Sequence, residues 1–235
     1  MSFLTAEWRK LAIANYKVDP DILSPYIPYK TELDLWDDAC YMSLVGFMFK
    51  NTKLMGLPIP FHRDFEEVNL RFYVRYKHLE TWRRGVVFVK EIVPKPALTL
   101  VANAIYKEHY KTMSMKHSWN NLENMQQVIY QWKCYGRWNS LSIQADSQAK
   151  ELPESSKSEF ITEHYWGYTK INNFTSYEYE VTHPKWQIYE VLEYNVDVDF
   201  GNVYGSRFKE LGSIAVDSVM LAEGSEITVE NKRKI

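Results

Sequence analysis

The sequence predicts a mainly β protein, built as a closed or nearly closed antiparallel barrel with one or two short helices. Aromatic residues make up 15% of the 235 residues, and aromatic side chains favour strands. Alternation of polar and apolar residues marks about ten short segments of the chain, which is the pattern of half-buried strands. An open sheet of that size would expose its edges, so closure is favoured, with a β-sandwich as the main alternative.

The clearest strand is the segment 67–76, in which polar and apolar residues alternate without exception. The polar face of this strand consists of Glu67, Asn69, Arg71, Tyr73 and Arg75. A solvated face usually carries Lys, Thr and Ser, whereas this one carries a carboxylate, an amide and two guanidinium groups. The pattern predicts either a row that lines the inside of the barrel or an outward face with ion pairs between strands.

The N-terminal part of the chain predicts a strand, a short turn and a hairpin. Residues 8–16 mix apolar and polar side chains as a strand does, and Asp19 is placed to cap a brief helical turn. The segments 31–36 and 40–49 are predicted to pair with each other across the turn-forming dipeptide at 37–38.

The middle of the chain predicts a strand, a helix and a second strand. An apolar run makes 85–93 a strand. Pro96 permits a helix start, and apolar residues at helical spacing continue the helix to about Tyr106. The segment 110–119 alternates again and is predicted to return along the sheet as one strand.

The rest of the chain predicts more strands and one short helix within a single domain that spans residues 1–235. Residues 146–159 are rich in Ser, Glu, Lys and Gln, which predicts a flexible surface loop. A short helix is predicted at 203–211, between two glycines. The remaining predicted strands are 128–136, 138–145, 162–168, 175–181, 187–199 and a closing hairpin of 214–222 with 226–230, which turns at Gly224.

Composition excludes several classes of function. The formal net charge is −2, and only residues 232–234 are locally basic, so we expect no nucleic-acid and no membrane partner. The N-terminus lacks the pattern of a secretory signal, and the chain is expected to be cytoplasmic. Cys40 and Cys134 have no CxxC partner and the six histidines are scattered, which predicts free thiols, no metal site and no cofactor.

Several spaced motifs carry a resemblance to a known family. At residues 65–74, Phe-Glu-Glu-Val-Asn-Leu-Arg-Phe-Tyr-Val, the sequence resembles the YqjF-like family of uncharacterised bacterial proteins, which is related to acetoacetate decarboxylase. Matching motifs occur in order at 18–28, 33–47, 85–88 and 182–186, and the likeness spans residues 8–219. The resemblance implies an acetoacetate decarboxylase-like antiparallel β-barrel with flanking strands, and it implies no particular reaction.

The resemblance also indicates that the Schiff-base lysine of the related decarboxylase is absent from the matching position. The related decarboxylase uses a lysine as its Schiff-base nucleophile, and a second lysine stands next to it. The matching stretch here places Tyr110 at the position of the nucleophile and Lys111 at that of its neighbour. By strand alternation Lys111 projects to the opposite side from Tyr110, unless a bulge intervenes. Glu67 resembles the pocket carboxylate of the decarboxylase.

The first functional hypothesis is a barrel pocket, enzymatic or not, that binds a small organic anion, namely a carboxylate or keto acid. Arg71 would hold the anion through its fork of N–H groups, Asn69 would orient it, and Glu67 would act as a base beside Tyr110. His109, next to Tyr110, is a further candidate ligand contact. The structural alternative is that Glu67 and Arg71 satisfy each other or a neighbouring strand within a filled core.

Two other hypotheses stay open. One is a lyase, decarboxylase or aldolase that forms an imine on Lys111, or on Lys116. The other is a non-catalytic binding or sensing module that uses aromatic side chains as walls. The candidate walls are Trp119, Trp132, Tyr135, Tyr165 and Trp166. His183 is a candidate general acid, and a homo-oligomer is compatible with the sequence.

Overall fold

The computed structural model describes residues 2–235 and consists mainly of strands. The strands are β1 (Leu4–Val18), β2 (Thr31–Leu33), β3 (Cys40–Leu54), β4 (Leu57–Pro58), β5 (Phe65–His78), β6 (Thr81–Val93), β7 (Tyr110–Thr112), β8 (Ser114–Asn121), β9 (Met125–Cys134), β10 (Arg137–Lys150), β11 (Trp166–Asn172), β12 (Thr175–Thr182), β13 (Ile188–Asp197), β14 (Ser218–Val229) and β15 (Arg233–Lys234). The α-helices are α1 (Pro96–Tyr106), α2 (Lys157–Thr162) and α3 (Phe200–Tyr204), and the 3-10 turns are Pro20–Ile22, Ser24–Tyr26 and Ser206–Gly212.

Seven of these strands form a closed ring. The hydrogen-bonded order is β12-β11-β6-β5-β3-β1-β14, and β12 also pairs with β14. All neighbours in the ring are antiparallel except β6 and β11, which are parallel. The extra pairing of β12 with β14 closes the sheet on itself, and the predicted mainly β barrel is confirmed.

A second group of strands extends from the ring and covers part of its outer face. β13 pairs with β14, and β10, β9 and β8 follow in order. One core lies between the two groups: Val68 and Leu70 of β5 pack in the same buried cluster as Tyr130 and Trp132 of β9. The other core lies inside the ring and includes Phe47 of β3. Because side chains alternate along a strand, β5 contributes to both cores.

A bulge in β1 lies opposite a glycine of β14. The pairing of β1 with β3 shifts between Arg9 and Ala12, and Lys10 has a positive φ of 54°. Opposite the bulge, Gly224 of β14 has a φ of 81°, and a Cβ added there would lie 1.9 Å from the carbonyl oxygen of Trp8. Gly224 therefore permits a close approach of the backbones of β1 and β14, and β14 continues through this glycine as one strand. The predicted closing hairpin at this glycine is wrong.

Long-range pairing also changes the predicted hairpin of segments 31–36 and 40–49. Residues 31–33 pair with β5, and only an isolated bridge between Trp36 and Ala39 joins the two segments. The local turn is present, but the hydrogen bonds of β2 are made with a distant strand.

Several predicted boundaries differ from the structure. The predicted strand 110–119 is interrupted at Met113, and β7 pairs with β6 while β8 pairs with β9. The predicted loop 146–159 is shorter, since β10 continues to Lys150 and α2 begins at Lys157. The predicted helix 203–211 consists of α3 and a 3-10 turn separated by Gly205. The helix predicted to start at Pro96 is present as α1.

Both cysteines, Cys40 and Cys134, are buried free thiols, as predicted. Across residues 2–235, no helix has the length and hydropathy that a membrane span requires.

The close approach at Gly224 predicts a large cost for an added methyl group. Gly224→Ala should lower the free energy of unfolding by about 2–5 kcal/mol, because a left-handed backbone and a steric clash act together. Gly136→Ala is the matched control: its φ is 84°, and nothing lies within 4 Å of an added Cβ. Urea denaturation should show a cost of about 1–2 kcal/mol for the control. Equal costs for the two variants would contradict this account of the bulge.

Candidate functional site

The ring encloses a cavity of about 230 Å³. Each of the seven ring strands contributes at least one residue to its lining, and α1 and α2 add residues from outside the ring. Most of the wall is apolar and aromatic; the aromatic side chains are Phe3, Trp8, Phe47, Phe49, Phe65, Phe88, Tyr110, Trp166, Tyr179 and Trp186. An aromatic cavity with a few polar groups is the usual form of a small-molecule site.

The polar face of β5 points into this cavity. Glu67, Asn69 and Arg71 all belong to the lining and are 2%, 1% and 7% exposed. The opposite face, with Val68 and Leu70, is fully buried in the outer core. The inward orientation predicted for this face is therefore observed at these three residues, whereas Arg75 at the far end of the face is 41% exposed and forms an ion pair with Glu32 of β2, as the outward alternative expects.

Glu67 is held by two hydrogen bonds. The hydroxyl of Tyr110 donates to Oε2 of Glu67 at 3.0 Å, and Nδ2 of Asn69 donates to Oε1 at 3.0 Å. Tyr110 reaches this position because β7 runs parallel to β6 and pairs Tyr110 with Glu91. The site therefore contains a carboxyl group whose two oxygens are both oriented by neighbouring donors.

A bulge in β6 brings a second carboxyl group into the cavity. Leu70 pairs with Lys90 but Arg71 pairs with Phe88, so Val89 is an extra residue in β6. Phe88 faces the cavity on one side of the bulge and Glu91 faces it on the other. Simple alternation from Phe88 would have placed Glu91 on the opposite face. Sequence reasoning missed Glu91 for this reason.

Glu108 is the third carboxyl group of the lining. Helix α1 ends at Lys107 with a left-handed φ of 61°, and Glu108 then turns into the protein. Its Oε1 accepts hydrogen bonds from Oγ1 of Thr169 at 2.6 Å and from the hydroxyl of Tyr179 at 3.2 Å. Tyr179 lies against Gly167, where an added Cβ would be 2.1 Å from the phenol ring. The glycine therefore makes room for a donor to Glu108.

Burial changes the ionisation of all three carboxyl groups. It raises the pKa of Glu67 and the pKa of Glu108 to about 7. Burial and the charges of these two neighbours raise the pKa of Glu91 well above its usual range. Burial and the same carboxylates also raise the pKa of Tyr110. At neutral pH the cluster therefore holds protons, and the phenol is a hydrogen-bond donor.

Arg71 is a buried cation without a salt bridge among the described residues. Its Nε has no hydrogen-bond partner, and its guanidinium carbon lies 5.8 Å from the centroid of the Tyr73 ring. Arg71 lowers the pKa of Glu67 through its charge, but the two form no direct ion pair. A Glu67–Arg71 pair in a filled core is therefore not observed, and Glu67 is satisfied by Asn69 of its own strand and by Tyr110 of β7 instead.

A buried histidine also borders the cavity. His164 follows α2, and its Nε2 lies 3.1 Å from Oδ2 of Asp34, which also accepts a hydrogen bond from Nε of Arg84 at 2.6 Å. Burial lowers the pKa of His164 to about 4, so the imidazole is neutral at neutral pH. Because the carboxylate requires a donor, Nε2 carries the proton and the unpartnered Nδ1 is an acceptor. No local pattern in the sequence singled out this residue.

Other predicted site residues lie elsewhere. Lys111 and Lys116 are exposed and outside the lining, which contains no lysine among the described residues. His109 is also exposed and borders a separate surface cleft. Of the aromatic residues considered as walls, Trp166 lines the cavity and Trp119, Trp132, Tyr135 and Tyr165 do not. His183 is part of the lining.

The raised pKa of Glu67 predicts a pH-dependent stability. The folded value is about 7 and the ordinary value is 4.5, so between about pH 5.5 and pH 8 the folded state binds more protons than the unfolded chain. Stability from this group is present at low pH and is lost as the pH rises through 7. The free energy of unfolding of wild type, relative to Glu67→Gln, should fall by about 2 kcal/mol over this range.

The control for this measurement is Glu7→Gln. Hydrogen bonds from Asn51 and Arg9 lower the pKa of Glu7, so Glu7 is ionised in both states over the same range. The difference between wild type and this variant should stay constant in urea titrations. A constant difference for Glu67→Gln as well would contradict the assignment of a raised pKa to Glu67.

Several solved structures have a fold similar to that of this chain. An acetoacetate decarboxylase from Legionella pneumophila superposes with a TM-score of 0.67 at 12% identity and covers 99% of this chain and 86% of its own. An acetoacetate decarboxylase-like enzyme from Sphingomonas wittichii RW1 gives 0.68 at 11% identity, covering 100% and 94%. The enduracididine biosynthesis enzyme MppR, solved with pyruvate, gives 0.67 at 11% identity, covering 100% and 91%. These similarities show the fold.

Sequence comparison gives the family. Protein YqjF of Bacillus subtilis (strain 168) is 28% identical over 188 residues, which are 76% of this chain and 72% of the relative. The DUF2071 family, described as an uncharacterized conserved protein, matches residues 5–226. Both findings agree with the resemblance found in the sequence motifs. The protein therefore belongs to the DUF2071 family, and its barrel is acetoacetate decarboxylase-like.

Proposed function

We propose that the barrel cavity binds a small carboxylate or keto acid, with the carboxylate held by Arg71. The observation that carries this proposal is the buried guanidinium, which has no salt bridge among the described residues. A buried charge is costly unless an opposite charge accompanies it. An anionic ligand would supply that charge and accept a hydrogen bond from the unpartnered Nε.

Glu67 supplies acid–base chemistry in this proposal. A carboxyl group with a pKa of about 7 can give or take a proton at neutral pH, and Tyr110 and Asn69 hold it in one orientation. The aromatic walls would accommodate the apolar part of the ligand. The bound pyruvate in MppR, a protein of the same fold, supports a keto acid as the ligand class. We therefore propose proton transfer at the bound ligand as the reaction type.

An imine mechanism has less support. It needs an amine that reaches the ligand, and no lysine among the described residues lines the cavity. Lys111 lies on the opposite side of β7 from Tyr110 and is exposed. A non-catalytic binding module would use the same contacts as the proposed enzyme. A measurement of ligand binding therefore tests both.

Removal of the guanidinium should weaken binding of a keto acid. For 4-methyl-2-oxopentanoate, Arg71→Gln should raise the Kd by about 10–100-fold, because a hydrogen-bonded ion pair contributes about 1.5–3 kcal/mol. Arg75→Gln is the control, since Arg75 lies on the same strand but is exposed and pairs with Glu32. Isothermal titration calorimetry should show less than about a twofold change for it. Equal binding by wild type and Arg71→Gln would overturn the proposal.

The position of Lys111 predicts that it plays no part in binding. Treatment with 4-methyl-2-oxopentanoate and borohydride should leave no covalent adduct on Lys111 in the intact-protein and peptide mass spectra. Lys111→Gln should bind the keto acid as wild type does, because the side chain lies outside the cavity. A stoichiometric adduct on Lys111 would instead support the imine mechanism.

A further inference from the structure

The cavity lining contains hydrogen-bond donors and hydrogen-bond acceptors that have no partner. Nε of Arg71 is a donor without an acceptor. Oε2 of Glu91 and Oδ1 of Asn69 are acceptors without a donor, and the two residues are 3% and 1% exposed. Buried polar atoms are nearly always satisfied, so each of these atoms marks a contact that a ligand can complete. A simple carboxylate completes only the first.

The strand register places these groups within reach of one small molecule. Asn69 of β5 stands directly opposite Glu91 of β6, and Arg71 is the next residue of β5 on the same face. Directly opposite residues have Cβ atoms about 5 Å apart, and diagonal neighbours lie about 7–8 Å apart. The two acceptors therefore lie side by side, and the guanidinium lies one step further along the barrel wall.

The unpartnered acceptors favour a cation beside the anion. The lining contains three carboxyl groups, Glu67, Glu91 and Glu108, and one guanidinium, Arg71. A carboxylate ligand would offset the charge of Arg71 and would leave the unpartnered oxygens of Glu91 and Asn69 without a donor. An ammonium group would donate to these two oxygens and would favour the ionised form of Glu91, whose proton passes to solvent when the ammonium binds.

We infer that the ligand is a zwitterion, an α-amino acid with an apolar side chain, which deepens the proposed function and depends on it. The ligand carboxylate accepts from Arg71, and the ligand ammonium donates to Oε2 of Glu91 and Oδ1 of Asn69. The apolar side chain packs against the aromatic wall that includes Trp8 and Trp186, whose ring centroids are 6.2 Å apart.

A matched series of probes tests this inference. L-leucine carries both charges, 4-methylpentanoate lacks the amino group, and 3-methylbutylamine lacks the carboxyl group. In calorimetry at neutral pH, L-leucine should bind to wild type at least about tenfold more tightly than either analogue, since each charged contact adds about 1.5–3 kcal/mol.

A variant of Glu91 tests the contact of the ligand ammonium. Glu91→Gln should weaken L-leucine to the affinity of 4-methylpentanoate and change the affinity of 4-methylpentanoate by less than about threefold. Glu66→Gln is the matched control, because Glu66 contacts His117 and lies outside the lining. It should leave all three affinities unchanged.

The outcomes separate this inference from the proposed function. If 4-methylpentanoate binds as tightly as L-leucine, the zwitterion is wrong and the carboxylate site stands. If only 3-methylbutylamine binds, the carboxylate site itself is wrong, and the zwitterion with it. If Glu91→Gln binds L-leucine as wild type does, the ammonium does not contact Glu91 and the inference is overturned.

Discussion

The pairing of β12 with β14 is the contact on which the rest of the structure depends. Only two residue pairs make it, Val181 with Val229 and Thr182 with Thr228, yet they turn a long sheet into a closed ring. Val181 and Val229 also line the cavity. Closure removes the inner face from water, and that desolvation raises the pKa values of the enclosed carboxyl groups. The chemistry of the site therefore follows from the closure of the barrel.

Irregularities in the strands decide which side chains face the cavity. The extra residue Val89 exchanges the two faces of β6, so that Phe88 and Glu91 both point inward. The left-handed Lys107 ends α1 and directs Glu108 into the same space. Each irregularity brings a carboxyl group next to Glu67. A regular barrel of the same strands would have enclosed only one carboxyl group of this cluster, that of Glu67.

This protein has the fold of acetoacetate decarboxylase but differs from it in the residue type at one position of the site. The barrel is acetoacetate decarboxylase-like, but Tyr110 stands where the resemblance places the Schiff-base lysine. A phenol cannot form an imine, and here it donates a hydrogen bond to Glu67. At this position the cavity therefore holds a donor that orients the carboxyl group of Glu67. Similar barrels thus hold sites of different chemical character, because function depends on the side chains that line the cavity.

The sequence by itself determined features that depend on local geometry. Side chains along a strand repeat every two residues, so the alternation of residues 67–76 separated Glu67, Asn69 and Arg71 from the core face. The same rule placed Tyr110 and Lys111 on opposite sides of their strand. Pro96 likewise marked the start of α1. Only the tertiary structure decided the partners of Glu67. Its carboxyl neighbours come from a bulged strand and from the end of a helix, and bulges and pairings between distant strands leave no periodic signal in the chain.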